Sequence, residues 1–68
     1  MNRVREYRKL AGITQADLAQ SVGIARQTVN LIENGKYNPS LSLCIGICHC
    51  LGTDLNTLFW EENQNENL

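Results

Sequence analysis

Gly12, Gly23, Gly35 and Gly52 each stand just beyond a segment whose apolar residues recur every three or four positions, and no such segment is longer than eleven residues. A chain cut this way cannot make one long helix or a coiled coil, and it has no period-two alternation for a strand. What remains is a bundle of short helices joined by tight corners. Residues 2–11 put Val4, Tyr7, Leu10 and Ala11 on one face. Thr14 reads as an N-cap, with Asp17 three positions on as a variant of the capping box. A second helix follows from Gln15 to Val22, with Leu18, Ala19 and Val22 inward. Only Gly23-Ile24-Ala25 separates it from a third helix, Arg26 to Asn34, whose inner edge is Val29 and Ile32. Asn34-Gly35 is a strong stop, and Lys36-Tyr37-Asn38-Pro39 reads as an ordered loop. Ser40 then caps a fourth helix, Leu41 to Leu51, and a fifth short helix begins near Asp54 and carries Leu55, Leu58 and Phe59. The expected fold is all-α: a compact five-helix bundle in one domain over residues 1–60, with a helix-turn-helix made by helices 2 and 3. Residues 61–68 form a polar, asparagine-rich tail expected to fray.

Sixty-eight residues allow one domain with a modest core. An apolar fraction of 43% with a single proline describes a globular chain rather than a disordered one. No apolar run approaches the ~20 residues that span a bilayer, and Met1-Asn2-Arg3 opens no signal-peptide core, so the expectation is a soluble cytoplasmic protein away from membranes. The net charge of −1 argues by itself against a nucleic-acid partner. Its distribution argues the other way. Six basic residues (Arg3, Arg5, Arg8, Lys9, Arg26, Lys36) fall in the first 40 positions against three acidic ones, leaving +3, whereas the remainder holds four acidic residues and no base. Such a chain can turn a cationic face to phosphate and an acidic back away from it; the bland alternative is a sign-mixed solvated surface.

Cys44, Cys48 and Cys50 lie within seven residues, an odd set too clustered for a disulfide framework, which suggests reduced thiols. At about 100° per residue, Cys48 lies ~40° from Cys44, but His49 lies ~140° away and Cys50 ~120° away on the other side. One helix cannot close all four on one ion, so no metal site is assigned. Cys44 and Cys48 read as small core residues, with Cys50 or His49 left as a redox or metal handle if exposed. Gly46, mid-helix, costs about 1 kcal/mol relative to alanine, which a close approach by a neighbouring chain would explain.

A helix, a three-residue corner and a second helix are also the layout of a DNA-reading pair, although many bundles contain such corners. The detailed string is more specific. Ile13-Thr14-Gln15-Ala16-Asp17-Leu18-Ala19, then Gly23-Ile24-Ala25-Arg26-Gln27-Thr28-Val29, then Ile32-Glu33-Asn34-Gly35-Lys36-Tyr37-Asn38-Pro39-Ser40 closely resembles the Cro and phage-repressor helix-turn-helix family. The likeness runs from about Arg3 to Phe59. It implies a transcriptional regulator that binds double-stranded DNA as a two-fold dimer, with helix 3 in the major groove reading a palindromic operator, repression being the more frequent family outcome. It implies base reading by Arg26, Gln27, Asn30 and Leu31. Arg26 suits guanine or a phosphate, Gln27 suits adenine, and Leu31 suits a thymine methyl unless it is a second row of core. It implies backbone contacts from Gln15 at the start of helix 2, from Thr28 unless its hydroxyl only caps, and from Asn34, Lys36, Tyr37 and Asn38. Arg8 and Glu33 resemble an internal pair of the family that ties helix 1 to the end of helix 3. The chain departs from the pattern at Ala25, where a Ser or Thr often caps helix 3.

Leu55, Leu58, Phe59 and Trp60 offer more apolar area than so short a helix can hide, and are the candidate dimer surface; the alternative is that the first three close the core. Two other classes stay open: a protein-interaction module such as an antitoxin or coregulator, and a thiol- or metal-responsive regulator. An enzyme is not expected, since there is one histidine, no Ser-His-acid set and no room for a deep pocket. No cofactor or small-molecule effector is implied.

Overall fold

The structure is a computed structural model that describes residues 2–60; the expected tail, 61–68, lies outside the described residues. Four α-helices run in order: α1 Val4–Leu10, α2 Gln15–Val22, α3 Arg26–Glu33 and α4 Leu41–Leu51. A π-helical turn, Asn56–Trp60, follows as the fifth element. Among the described residues there is no strand, and no helix is long and apolar enough to cross a membrane.

The punctuation works as its chemistry requires. The Thr14 hydroxyl accepts from the Asp17 N–H while the Asp17 carboxylate accepts from the Thr14 N–H, so the capping box closes in both directions. The Thr14 N–H on the carboxylate, followed by the Thr14 side chain, also holds the Asp17 carboxyl below its ordinary pKa. The Ser40 hydroxyl accepts from the Leu43 N–H and starts α4, and Asp54 does the same for Thr57 at the C-terminal turn. Gly23 closes α2 with φ +78°, a left-handed conformation that side chains with a Cβ avoid, and its N–H reaches the Ala19 carbonyl. The chain can therefore reverse into α3 within three residues.

The core draws on every element. Val4, Leu18, Val29, Ile32, Ile47 and Leu58 are the largest fully buried side chains, joined by Ala19 and Cys48. Each large aliphatic contributes about 1.5–3 kcal/mol by leaving water. Helix α2 packs on both α3 and α4, and α1 packs on α3 and the C-terminal turn. The residue before α1 is stitched to the C-terminal turn by the Arg3 N–H, which donates to the Leu58 carbonyl at 2.9 Å.

Two expectations are corrected here. Leu10 is not on the inner face of α1: it is 74% exposed, and Ala11 is exposed too, while Arg8 is buried in their stead. Within the monomer nothing crowds Gly46, since a Cβ built there meets only a Val22 methyl at 3.8 Å, an ordinary contact. Leu58 is wholly inside the monomer core, so it is not part of any exposed dimer surface. Cys48 is buried, Cys44 and Cys50 are partly so, and burial pushes the Cys44 and Cys48 thiols up, which keeps both protonated near neutral pH. Among the described residues no three His, Cys, Asp or Glu side chains stand together as a metal site.

Candidate nucleic-acid interface

Helix α3 is split lengthwise by its own sequence. Val29, Ile32 and Glu33 are buried, whereas Arg26, Gln27, Asn30 and Leu31 are exposed, and Thr28 sits between. Leu31 is 40% exposed, so it belongs to the outer row rather than to a second row of core. Its start has no side-chain cap: Ala25 offers only its carbonyl, which accepts from the Thr28 and Val29 N–H groups at 3.0 and 3.3 Å.

The other end of α3 is held by charge. The Glu33 side chain is fully enclosed, and Arg8 Nε donates to its Oε2 at 2.7 Å. Arg8 Nη2 and Arg5 Nε both reach Oε1, at 3.4 and 3.3 Å, and Gln15 Nε2 donates to the same oxygen at 3.0 Å. Arg8 Nη1 donates onward to the Ile13 carbonyl at 2.9 Å. One carboxylate thus ties α1, α2 and α3 together. Burial pushes the Glu33 carboxyl up, but the hydrogen bonds from Arg8 and Gln15, the Arg8 charge and the Arg5 hydrogen bond together outweigh it and hold the group below its ordinary value. Asn2 adds a clasp that sequence reasoning missed: its Nδ2 donates to the Ile32 carbonyl at 2.8 Å while its Oδ1 accepts from the Val4 N–H at 3.0 Å. The Arg8–Glu33 pair was legible from the family resemblance; the additional Glu33 partners Arg5 and Gln15, and the separate Asn2 clasp, carried no signal of their own.

Gln15 lies at the first turn of α2, half-buried, with one amide hydrogen engaged by Glu33. The capping box consumes the Thr14 and Asp17 N–H groups, so the outward donors at that helix end are the amides of Gln15 and Ala16. Beyond α3 the chain turns at Gly35, and the Lys36 N–H returns to the Leu31 carbonyl at 2.8 Å. Asn34, Lys36, Tyr37 and Asn38 are all exposed along this stretch, before the half-buried Pro39. Of the residues expected at a dimer surface, Leu55 and Phe59 are half-buried against the core and Trp60 is 48% exposed. Trp60 and Leu55 border an open groove of about 450 Å³ with Ile45, His49 and Asp54.

Comparison with known proteins places this arrangement. The profile of the Helix-turn-helix family matches residues 4–58. The uncharacterized HTH-type transcriptional regulator YgzD of Bacillus subtilis is 42% identical over 64 residues, covering 94% of this chain and 97% of the relative. An uncharacterized HTH-type transcriptional regulator of Methanocaldococcus jannaschii is 42% identical over 62 residues, with 91% and 94% covered. The immunity repressor protein of Bacillus phage phi105 is 33% identical over 60 residues, which are 88% of this chain and 42% of the repressor. With its split third helix docked behind a capped second helix, this chain belongs to the helix-turn-helix family of DNA-binding transcriptional regulators.

Proposed function

We propose that the protein is a repressor that binds a palindromic DNA operator as a homodimer, laying α3 in the major groove. The observation that carries this reading is the split of α3. Arg26, Gln27, Asn30 and Leu31 form a continuous exposed row, backed by buried Val29 and Ile32 and by the fully paired Glu33. A polar row on a rigidly backed helix suits base edges: the Arg26 guanidinium matches the paired acceptors of guanine, the Gln27 amide matches adenine, and Leu31 matches a thymine methyl. Gln15, Thr28, Lys36, Tyr37 and Asn38 take the flanking phosphates and fix register, while Asn34, expected among them, has its amide turned to Arg5 and Asn30. Leu55, Phe59 and Trp60 supply the surface for the second copy, with Ile45 beside them. Repression is favoured by the likeness to a phage immunity repressor.

Selection of bound sequences from a random duplex pool at ~150 mM salt tests this directly, because salt at that level weakens the non-specific phosphate attraction and lets base contacts discriminate. A two-fold-symmetric consensus is expected, with half-sites about one helical turn apart. A consensus without symmetry would remove the homodimer, and the absence of any consensus would remove operator reading.

A further inference from the structure

A line of hydrogen bonds leaves the buried Glu33 and ends on the exposed row of α3. Arg5 Nε donates to Glu33, and the same guanidinium donates through Nη2 to Asn34 Oδ1 at 2.9 Å. Asn34 Nδ2 in turn donates to the Asn30 carbonyl at 2.8 Å and to Asn30 Oδ1 at 3.4 Å. The polarity of this line is not arbitrary. A guanidinium has donors only, so it must meet the oxygen end of the Asn34 amide; the nitrogen end of Asn34 then faces Asn30, whose backbone carbonyl accepts at 2.8 Å and whose Oδ1 accepts at the longer 3.4 Å. The Asn30 oxygen thus lies on the Asn34 side of an exposed side chain, which leaves the NH2 group to donate elsewhere.

We propose that Arg5 is a positioning residue for base recognition. Acting through Asn34, it sets Asn30 as a hydrogen-bond donor that prefers guanine to adenine. An asparagine that grips adenine needs its oxygen for the N6 amino group and its nitrogen for N7. Here the oxygen is engaged internally, whereas guanine offers two adjacent acceptors, N7 and O6, to an amide NH2. Arg5 touches no base in this scheme. The inference rests on the reading of α3 as the base-reading helix.

The test is duplex-pool selection with the wild type, Asn30→Ala, Asn34→Asp, Arg5→Met and Gln27→Ala, each first shown to be folded by circular dichroism and thermal melting. Asn30→Ala identifies the position that Asn30 reads, and the wild type is expected to select guanine there over adenine by about tenfold. Asn34→Asp keeps an acceptor for Arg5 but can no longer donate to Asn30, so the Asn30 amide turns its nitrogen inward. Guanine should then give way at that position to a base with an outward donor, adenine or cytosine. Arg5→Met should flatten the guanine preference there while the other positions keep their order. Adenine at that position in the wild type would overturn the proposal, as would guanine retained in both Asn34→Asp and Arg5→Met. If Gln27→Ala alters the consensus but Asn30→Ala does not, α3 reads bases and only the role of Asn30 is lost. If neither changes it, the underlying reading of α3 falls as well.

Discussion

At its C-terminal end α3 carries a fully enclosed carboxylate bonded by Arg5, Arg8 and Gln15, and its last turn is clasped again by Asn2. At its N-terminal end it carries Ala25, an exposed residue with no side chain to cap the helix, followed by exposed Arg26 and Gln27. The same eight residues are thus fixed at one end by side-chain chemistry and at the other only by backbone hydrogen bonds and the buried Val29. The firmly held end sets where the helix points; the loosely held end carries two of the four residues assigned to base edges.

The largest expected effect comes from breaking the firm end. Glu33→Ala leaves Arg8 without its enclosed partner and should destabilise the fold by about 3–5 kcal/mol, read from urea denaturation. A loss under 1 kcal/mol would mean that the junction does not anchor α3. Acid should act on the same point. The Glu33 carboxyl lies below its ordinary value in the folded protein, so its contribution is present above that ordinary value and is lost as the pH falls through the folded one. The melting temperature should therefore hold steady from neutral pH to about 5 and decline below about 4.5. In Glu33→Gln the decline should be shallower but not absent, because the exposed Asp17 and Asp54 carboxyls, bonded to Thr14 and Thr57, are shifted the same way.

At the loose end the outward side chains should show in binding, and the missing cap in folding. Gln27→Ala should weaken the selected operator by about 1–3 kcal/mol while leaving the denaturation midpoint nearly unchanged. A serine hydroxyl in place of the Ala25 methyl would meet an extended N-cap backbone, φ −76° and ψ 151°, and could accept from the Thr28 N–H. Ala25→Ser should thus stabilise the fold by about 0.5–2 kcal/mol, and no gain would show that the start of α3 is not under-capped. Outside the comparison, Gly46→Ala should add up to about 1 kcal/mol, since the new methyl has only ordinary contact with Val22. The smallest effect is electrostatic: Lys36→Ala should reduce the slope of log affinity against log salt by about 0.9, and an unchanged slope would take Lys36 off the backbone.

How much of this was legible in the sequence follows from the range over which each signal acts. The limits of α2 and α4, the Thr14–Asp17 box, the Ser40 cap and the inward Leu18, Val29 and Ile32 are local, and they stand as read, whereas α1 is Val4–Leu10 rather than residues 2–11 and α3 ends at Glu33 rather than Asn34. The fifth element was placed correctly, but it is a π-helical turn rather than an α-helix. Periodicity misassigned α1 because it counts Leu10 as apolar and Arg8 as polar. The packing instead buries the arginine, whose charge is met by Glu33 25 residues away. Leu58 was misread for a related reason, since only the tertiary fold shows that the turn after Asp54 faces the buried cluster to which Val4, Leu18 and Ile47 also belong. The exposed row of α3 could be seen in the 3.6-residue period; the relay from Arg5 through Asn34 could not, because it depends on which helix ends meet.

The central claim is that the exposed row of α3 reads sequence, and the most direct measurement is the affinity of the full chain for its selected operator against a scrambled duplex of equal length at ~150 mM salt. The account predicts that the operator binds at least about 10³-fold more tightly, the lower bound for specific regulators. Equal affinity for the two duplexes would contradict it.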